Sequence, residues 1–334
     1  MADRVNRQWL FKSAPKAAVG PEHFEWREGP APRPGAGEVL VKTQLLSIDP
    51  ANRAWMNGAT YRGQLMPGDV MDGFAIGEVV ESNADGLKPG DVVEGSLGWQ
   101  DYSVQKPRAL TKRDGKYDDE MLIGPLGITG LTAYFGILDV ARVRAGETVV
   151  VSGAGGAVGS IAGQIAKIAG CRVIGTAGGA AKCDWLVRDL GFDGAVDYKA
   201  GGVRRALKPL CPAGIDAYFD NTGGEVLEAA LALMNMFGRV ACCGNVSQYN
   251  TGAPPAATSG VPGFLVTKRI RMEGFIVMDF FQRRAQAEAA LAGWVKSGAL
   301  KAPSDVLLGL DQAPAALAGL FDGRNKGKMA VRVG

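Results

Sequence analysis

The sequence predicts an α/β protein in two parts, a doubly wound parallel-sheet part and a smaller β-rich part. Three observations predict it. A strand, a glycine turn, a helix and a second strand follow one another at 148–179. Strand-like and helix-like patterns then keep alternating, as a parallel sheet requires, since each parallel strand needs a crossover. Before residue 125 the pattern is different: short alternating apolar runs are separated by Gly- and Pro-rich turns.

In the β-rich part, EVLVKTQLLSID (38–49), GFAIGEVVES (73–82) and DVVEGSLGWQDYSVQ (91–105) read as strands of a barrel-like or sandwich-like domain, with PRPGAGE, NADG and LKPGD as turns. The pattern changes near Pro125, where GITGLTAYFGILDVARV places Leu131, Tyr134, Phe135 and Leu138 at helical spacing. TVVVSGAGGAVGSIAGQIAKIAGCRVIGTAGG (148–179) is the βαβ unit. KCDWLVRDLG then reads as helix, GAVDY as a strand end, VRRALKPL as helix and IDAYFDNTGG as strand and turn. EVLEAALALMN follows as helix, and GRVACCG and RIRMEGFIV as strands. TGAPPAATSGVPG (251–263) reads as a loop, and the final KMAVRV as a strand expected to return to the first part.

Composition narrows the chemistry. A chain of 334 residues suits two domains of roughly 150 residues each. Histidine occurs once, at His23, and five cysteines are scattered at 171, 183, 211, 242 and 243. That leaves little material for a zinc or iron site, so no metal is expected, and a catalytic triad exists only if His23 serves it. A net charge of 37 − 34 = +3 argues against nucleic acid or an anionic membrane surface as partner. The odd, sparse cysteines and the charged start MADRVNRQWLFK suggest a reduced, cytoplasmic protein without a signal peptide. The most apolar stretch, 149–169, is interrupted by glycines and reads as strand, turn and helix rather than a membrane span.

Glycine is abundant, 48 of 334 residues, against a usual share of about 7%. Its densest run is Ser152-Gly153-Ala154-Gly155-Gly156-Ala157-Val158-Gly159, between a β-branched strand and a helix. A dinucleotide pyrophosphate needs close backbone approach, free N–H groups and the positive end of a helix, and this context provides all three. The three-glycine spacing is incomplete, because Ala154 stands in its first position. The carboxylate that holds the ribose of NAD, about 20 residues on, is also missing. RVIGT (172–176) runs into Ala177-Gly178-Gly179, and Lys182 stands beyond. A lysine attracts a 2′-phosphate where a carboxylate repels it, so NADPH is expected rather than NADH.

These blocks resemble the zinc-independent medium-chain dehydrogenase/reductases. The resemblance is strongest to the leukotriene/prostaglandin reductase branch, with plant double-bond reductases and bacterial curcumin reductase. It is carried in order by SIDP (47–50), GLTAYFGILDV (130–140), AGGAVGSIAGQIAKIAGCRVIGTAG (154–178), GFDGAVDYK (191–199), AYFDNTGGEVLEAAL (217–231), GNVSQYN (244–250), KRIRMEGFIV (268–277) and GRNKGKMAV (323–331). It implies a GroES-like domain over 1–125 and 298–334, and a Rossmann NADPH-binding domain over 126–297 with the cofactor in a cleft between them. It further implies that Gly156, Ala157, Val158 and Gly159 meet the pyrophosphate, and that Lys182 and Tyr198 hold the 2′-phosphate. Asn221, Cys243, Gly244, Asn245 and Tyr249 should line the rest of the cofactor. The backbone of Phe275, Ile276 and Val277 should meet the nicotinamide amide, and Asn325 should close the site.

For activity the resemblance implies reduction of the C=C bond of α,β-unsaturated ketones or aldehydes. Hydride reaches the β-carbon, and a hydrogen-bond donor stabilises the enolate oxygen. Relatives often carry tyrosines where this chain has Ala51, Phe74 and Thr267. The donor is then Tyr61, Thr267, a ribose hydroxyl of the cofactor or a water. Ala51, Phe74 and Tyr249 are candidate pocket residues, and Arg53 and Arg62 candidate attractors of an acidic substrate. A quinone oxidoreductase and a non-catalytic NADPH-binding sensor are the alternatives. A homodimer is expected, with KRIRMEGFIVMDF pairing across a two-fold axis.

Overall fold

The computed structural model describes residues 4–58, 60–251 and 260–334. The chain forms two compact units. The first runs up to Ile123 and includes Ser304–Arg324 and Met329–Gly334, and the second comprises Gly124–Pro303 and Asn325–Lys328.

In the first unit, β1 (Val5–Phe11) pairs antiparallel with β2 (Phe24–Pro30), Trp9 opposite Trp26. β3 (Val39–Ser47) leads into α1 (Pro50–Trp55), a short helix opened by a capping box between Asp49 and Asn52, with Pro50 at its start. β4 (Phe74–Ser82), β5 (Val92–Ser96), β6 (Tyr102–Gln105), β7 (Thr111–Lys112) and α2 (Asp119–Ile123) follow. The single run expected over 91–105 is two strands, because Gly98 turns the chain at φ +74° between them. The interior is built from alternate strand residues such as Val39, Val41, Ala75 and Val79, with Phe24 stacked on Trp99 at 5.2 Å.

In the second unit, α3 (Ile128–Phe135) precedes the sheet. The strands are β8 (Thr148–Val151), β9 (Arg172–Ala177), β10 (Gly194–Asp197), β11 (Ile215–Asp220), β12 (Met234–Cys242) and β13 (Arg271–Gly274). All pair parallel, in the order β10-β9-β8-β11-β12-β13. Counted from β8 this is 3-2-1-4-5-6, the doubly wound Rossmann order. The remaining helices are α4 (Ala157–Ile168), α5 (Ala180–Arg188), α6 (Val203–Leu210), α7 (Gly224–Leu233), α8 (Val261–Lys268) and α9 (Arg284–Lys296).

Elements of the second unit also differ from the sequence expectation. The helix read through Asn235 stops at Leu233, where the Lys268 ammonium donates to the carbonyls of Leu231, Ala232 and Met234 at 3.0, 2.8 and 2.9 Å. A cation on the last carbonyls is a helix stop. β12 therefore starts early and bulges, Ile215 pairing with Met234 but Ala217 with Arg239. In the stretch read as a loop, 252–259 lies outside the described residues, and Val261, Pro262 and Gly263 form the first turn of α8.

The chain's end completes the first unit. β14 (Ser304–Leu308), α10 (Ala313–Asp322) and β15 (Lys328–Arg332) give a sheet of order β14-β15-β3-β4-β5-β7, with β6 also on β3. This is the GroES-like domain. Residues 298–303 stay with the second unit because the Gln164 amide both donates to and accepts from the backbone of Lys301, at 2.8 Å each way. Residues 325–328 join it because Gly327 N–H donates to Gly155 and Lys328 N–H to Pro303, at 3.0 Å each. Among the described residues no helix is long and apolar enough to cross a membrane.

α4 lies close against the loop between α5 and β10 at Gly163, where a Cβ would stand 2.0 Å from the Phe192 ring. Phe192 is buried and has nowhere to retreat. Gly163→Ala is therefore expected to destabilise the fold by about 1–3 kcal/mol in urea unfolding, and an unchanged midpoint contradicts this packing.

Candidate functional site

The crevice at the carboxyl ends of a doubly wound sheet opens at the switch point, here between β8 and β11. β8 delivers the glycine loop to it. Gly153 turns the chain at φ +57° and Gly156 caps α4. A Cβ on Gly159 would stand 2.4 Å from the Gly153 carbonyl oxygen, so the first turn of α4 can approach the loop only as glycine. The odd alanine is explained across the sheet. The buried Ala154 methyl sits where a Cβ on Gly175 of β9 would meet it at 2.9 Å. The space is made by Gly175, and the positive-φ turn falls one residue earlier, at Gly153. The N–H groups of Ala157, Val158 and Gly159 lie in the first turn of α4, without i−4 carbonyls inside the helix, and such a terminus takes an anion.

The segment 325–328 crosses this loop. Gly327 forms a parallel bridge with Gly156, and Asn325, buried, donates its amide to the Gly327 carbonyl at 2.8 Å. Lys326 Nζ lies 5.8 Å from the centre of the Trp185 ring on α5. Asn325 thus shapes the strap through its own backbone neighbour.

Beside the loop, one carboxylate joins three strand ends. Asp220 is 3% exposed, and its Oδ1 accepts from the Tyr218 hydroxyl (2.8 Å), Ser152 Oγ (3.1 Å), Thr222 N–H (3.0 Å) and Gly223 N–H (2.9 Å). Its backbone carbonyl accepts from Cys243 and Gly244 N–H at 2.8 and 3.1 Å. Asn221 N–H donates to Ser152 Oγ, and Asn221 Nδ2 to the Ser152 carbonyl at 2.6 Å. Full burial and Asp220 hold the Tyr218 phenol well above its ordinary range, so it stays a donor.

The remaining cofactor-side residues lie around these ends. Lys182, in the first turn of α5, lays its stem over Gly155, where a Cβ would meet Lys182 Cδ at 2.4 Å. Tyr198, after β10, brings its hydroxyl within 2.9 Å of a Cβ on Gly178. Tyr249 Oη accepts from Asn245 N–H at 3.2 Å. Burial and Asp220 push the Cys243 thiol up to about 12, which keeps it protonated and unreactive. Phe275, which follows β13, sets its ring against Phe219 at 6.2 Å. Gly136 leaves the room, since a Cβ there would meet both rings near 2.5 Å. Val277 is buried and Ile276 exposed.

The substrate-side candidates are placed less simply. Arg53 is 1% exposed and donates to Asn57 Oδ1 (2.6 Å) and the carbonyls of Pro15 and Ala17 (3.0 Å each). It clips a loop inside the first unit instead of facing a substrate. Arg62 pairs with Asp72, donates to Ser96 Oγ at 2.8 Å and lies 4.2 Å over the Trp55 ring. Ala51 is on α1, and Phe74 opens β4 opposite Ser96. Tyr61 is 54% exposed in the first unit. Thr267, in the second unit, donates its hydroxyl to the Gly263 carbonyl at 2.7 Å, within its own helix. The lone His23 lies 3.3 Å from Glu22 and from Ser13. Among the described residues no three His, Cys, Asp or Glu side chains cluster as a metal site would need.

Sequence reasoning missed Ser152, Tyr218 and Asp220 as a network. The signal was a polar pair, Asp220-Asn221, at the end of an otherwise buried strand.

Comparison with known proteins places the chain in a family. Residues 7–112 match the family described as the N-terminal domain of oxidoreductase, and residues 157–293 that described as zinc-binding dehydrogenase. The chain is similar to the NADPH-dependent curcumin reductase of Escherichia coli, 40% identical over 98% of this chain and 97% of that one. It is similar to the NADP(+)-dependent 2-alkenal reductase of Nicotiana tabacum, 42% identical over 90% and 88%. Among solved structures, CurA from Vibrio vulnificus in complex with NADPH superposes with a TM-score of 0.93, at 37% identity over 98% and 99% of the two chains.

Tyr218→Phe removes one of the four donors on the buried Asp220 oxygen and leaves the ring in place. It is expected to destabilise the protein by about 1–2 kcal/mol, read as a lowered denaturant midpoint. A neutral result contradicts the network.

Proposed function

The chain belongs to the zinc-independent medium-chain dehydrogenase/reductases, in the branch of curcumin reductase and 2-alkenal reductase, and from that premise we propose that it is an NADPH-dependent reductase that saturates the C=C bond of α,β-unsaturated ketones and aldehydes. Bound NADPH supplies the hydride that reaches the β-carbon. The observation that carries the cofactor side is the cradle at 153–159, where Gly159 lets the first turn of α4 close on the Gly153 carbonyl, beside a strand β9 that ends without a carboxylate.

In this reading the chain's residues bind, orient and stabilise. The N–H groups of Ala157, Val158 and Gly159 take the pyrophosphate. Lys182 and Tyr198 take the 2′-phosphate. Asn221, Cys243, Gly244, Asn245 and Tyr249 line the cofactor's path, the backbone of Phe275, Ile276 and Val277 orients the nicotinamide amide, and Asn325 holds the strap. Ala51 and Phe74 bring no hydroxyl of their own to the substrate region. Negative charge on the substrate oxygen then needs a donor. We assign it to Tyr61, whose phenol is exposed, over Thr267, whose hydroxyl is committed to Gly263.

We further propose a homodimer joined at β13. That strand is the edge of the six-stranded sheet, and among the described residues its ladder partner is β12 alone. A reduced, cytoplasmic setting suits five cysteines that are all free thiols.

Three measurements test this. NADPH oxidation is expected with simple enones and enals, giving the saturated carbonyl compound by mass spectrometry, and turnover confined to quinones contradicts it. Tyr61→Phe is expected to lower kcat about 10²-fold with the NADPH KM unchanged, whereas an unchanged kcat moves the donor role to a water or a ribose hydroxyl. Light scattering is expected to give twice the 34.9 kDa chain mass, and a monomer at working concentration removes the β13 dimer.

A further inference from the structure

The loop after β9 and the turn after β10 are tied together by one side chain. Asp197 Oδ1 accepts from Gly179 N–H at 2.8 Å and from Lys199 N–H at 2.9 Å. This fixes the short turn Tyr198–Ala200 against Ala177-Gly178-Gly179, and both Tyr198 and Lys199 lean over Gly178. A Cβ on Gly178 would stand 2.9 Å from the Tyr198 hydroxyl and 2.9 Å from Lys199 Cε. The ammonium of Lys199 is one bond further on. The phenol and the ammonium end therefore share the strand-end loop at which this fold holds the ribose 2′-position. Lys182 approaches differently. Its Cγ and Cδ lie along Gly155, so its stem follows the glycine loop.

We propose that Lys199 is a specificity-determining residue of the cofactor site, a second cation that acts with Tyr198 on the ribose 2′-phosphate. The assignment rests on the NADPH reading above. A 2′-phosphate is close to a dianion, which one lysine matches only in part, and a second cation from the neighbouring strand end completes the charge. Asp197, the carboxylate bonded to this loop, has Oδ1 held by two backbone N–H groups, and these temper its repulsion of a phosphate. Gly178 is required because a side chain there would displace both the phenol and the lysine.

The test measures, by titration calorimetry on the whole protein, dissociation constants for 2′,5′-ADP, which carries the 2′-phosphate, and for 5′-AMP, which lacks it. Lys199→Ala is expected to weaken 2′,5′-ADP about five- to tenfold and to leave 5′-AMP unchanged, and Lys199→Arg to recover most of the loss. Equal weakening of both ligands, or no change in either, overturns the role of Lys199 while the wild-type preference for 2′,5′-ADP preserves the NADPH reading. A wild-type protein that binds the two ligands equally sinks both.

Discussion

The second unit depends on one buried carboxylate. Asp220 sits at the carboxyl end of β11, beside the switch point of the sheet, and gathers donors from its own strand, from the turn that follows and from Ser152 at the end of β8. A buried charge is tolerated only with its hydrogen bonds made, and making them fixes the ends of β8, β11 and β12 relative to one another. The glycine loop begins one residue after Ser152, so the cradle inherits its position from this network. That arrangement also explains Asn221. Its amide is held by the Ser152 carbonyl, which ties the turn after β11 to the start of the loop.

The second constraint is steric. At 153–159 the backbone must fold close to itself and stay open to a ligand. The chain meets this with glycine at 153, 155, 156 and 159, and accepts Ala154 because Gly175 opposite has no side chain. The surplus of glycine, an oddity of composition at first, resolves into separate tasks. Gly153 provides a positive φ, Gly159 and Gly163 allow close helix packing, and Gly178 leaves room for two polar side chains.

Much of this was legible in the sequence, and the rest was hidden for physical reasons. The βαβ unit showed itself through local patterns: a β-branched strand, a glycine turn, an apolar helix. Lys182 was read from the missing acid after β9 and Tyr198 from the resemblance, and both stand beside glycines at the strand ends. What sequence patterns did not reveal was long-range. Lys268 stops α7 from thirty-four residues away or more, which no pattern in EVLEAALALMN could announce. The strap at 325–328 returns to Gly155 across the whole second unit. Arg53 looked like a free cation because helical neighbours reveal nothing of the loop at Pro15 and Ala17 that buries it. Thr267 looked like a donor until its own helix supplied an acceptor four residues back.

The central proposal is that NADPH held at this cradle passes its hydride to the β-carbon of a conjugated carbonyl compound. The most direct measurement is a single turnover of an enone with NADPH carrying deuterium in the transferred position at nicotinamide C4, with the product examined by NMR. The account predicts one deuterium at the β-carbon of a saturated ketone. Deuterium at the former carbonyl carbon, in an allylic alcohol, would contradict it.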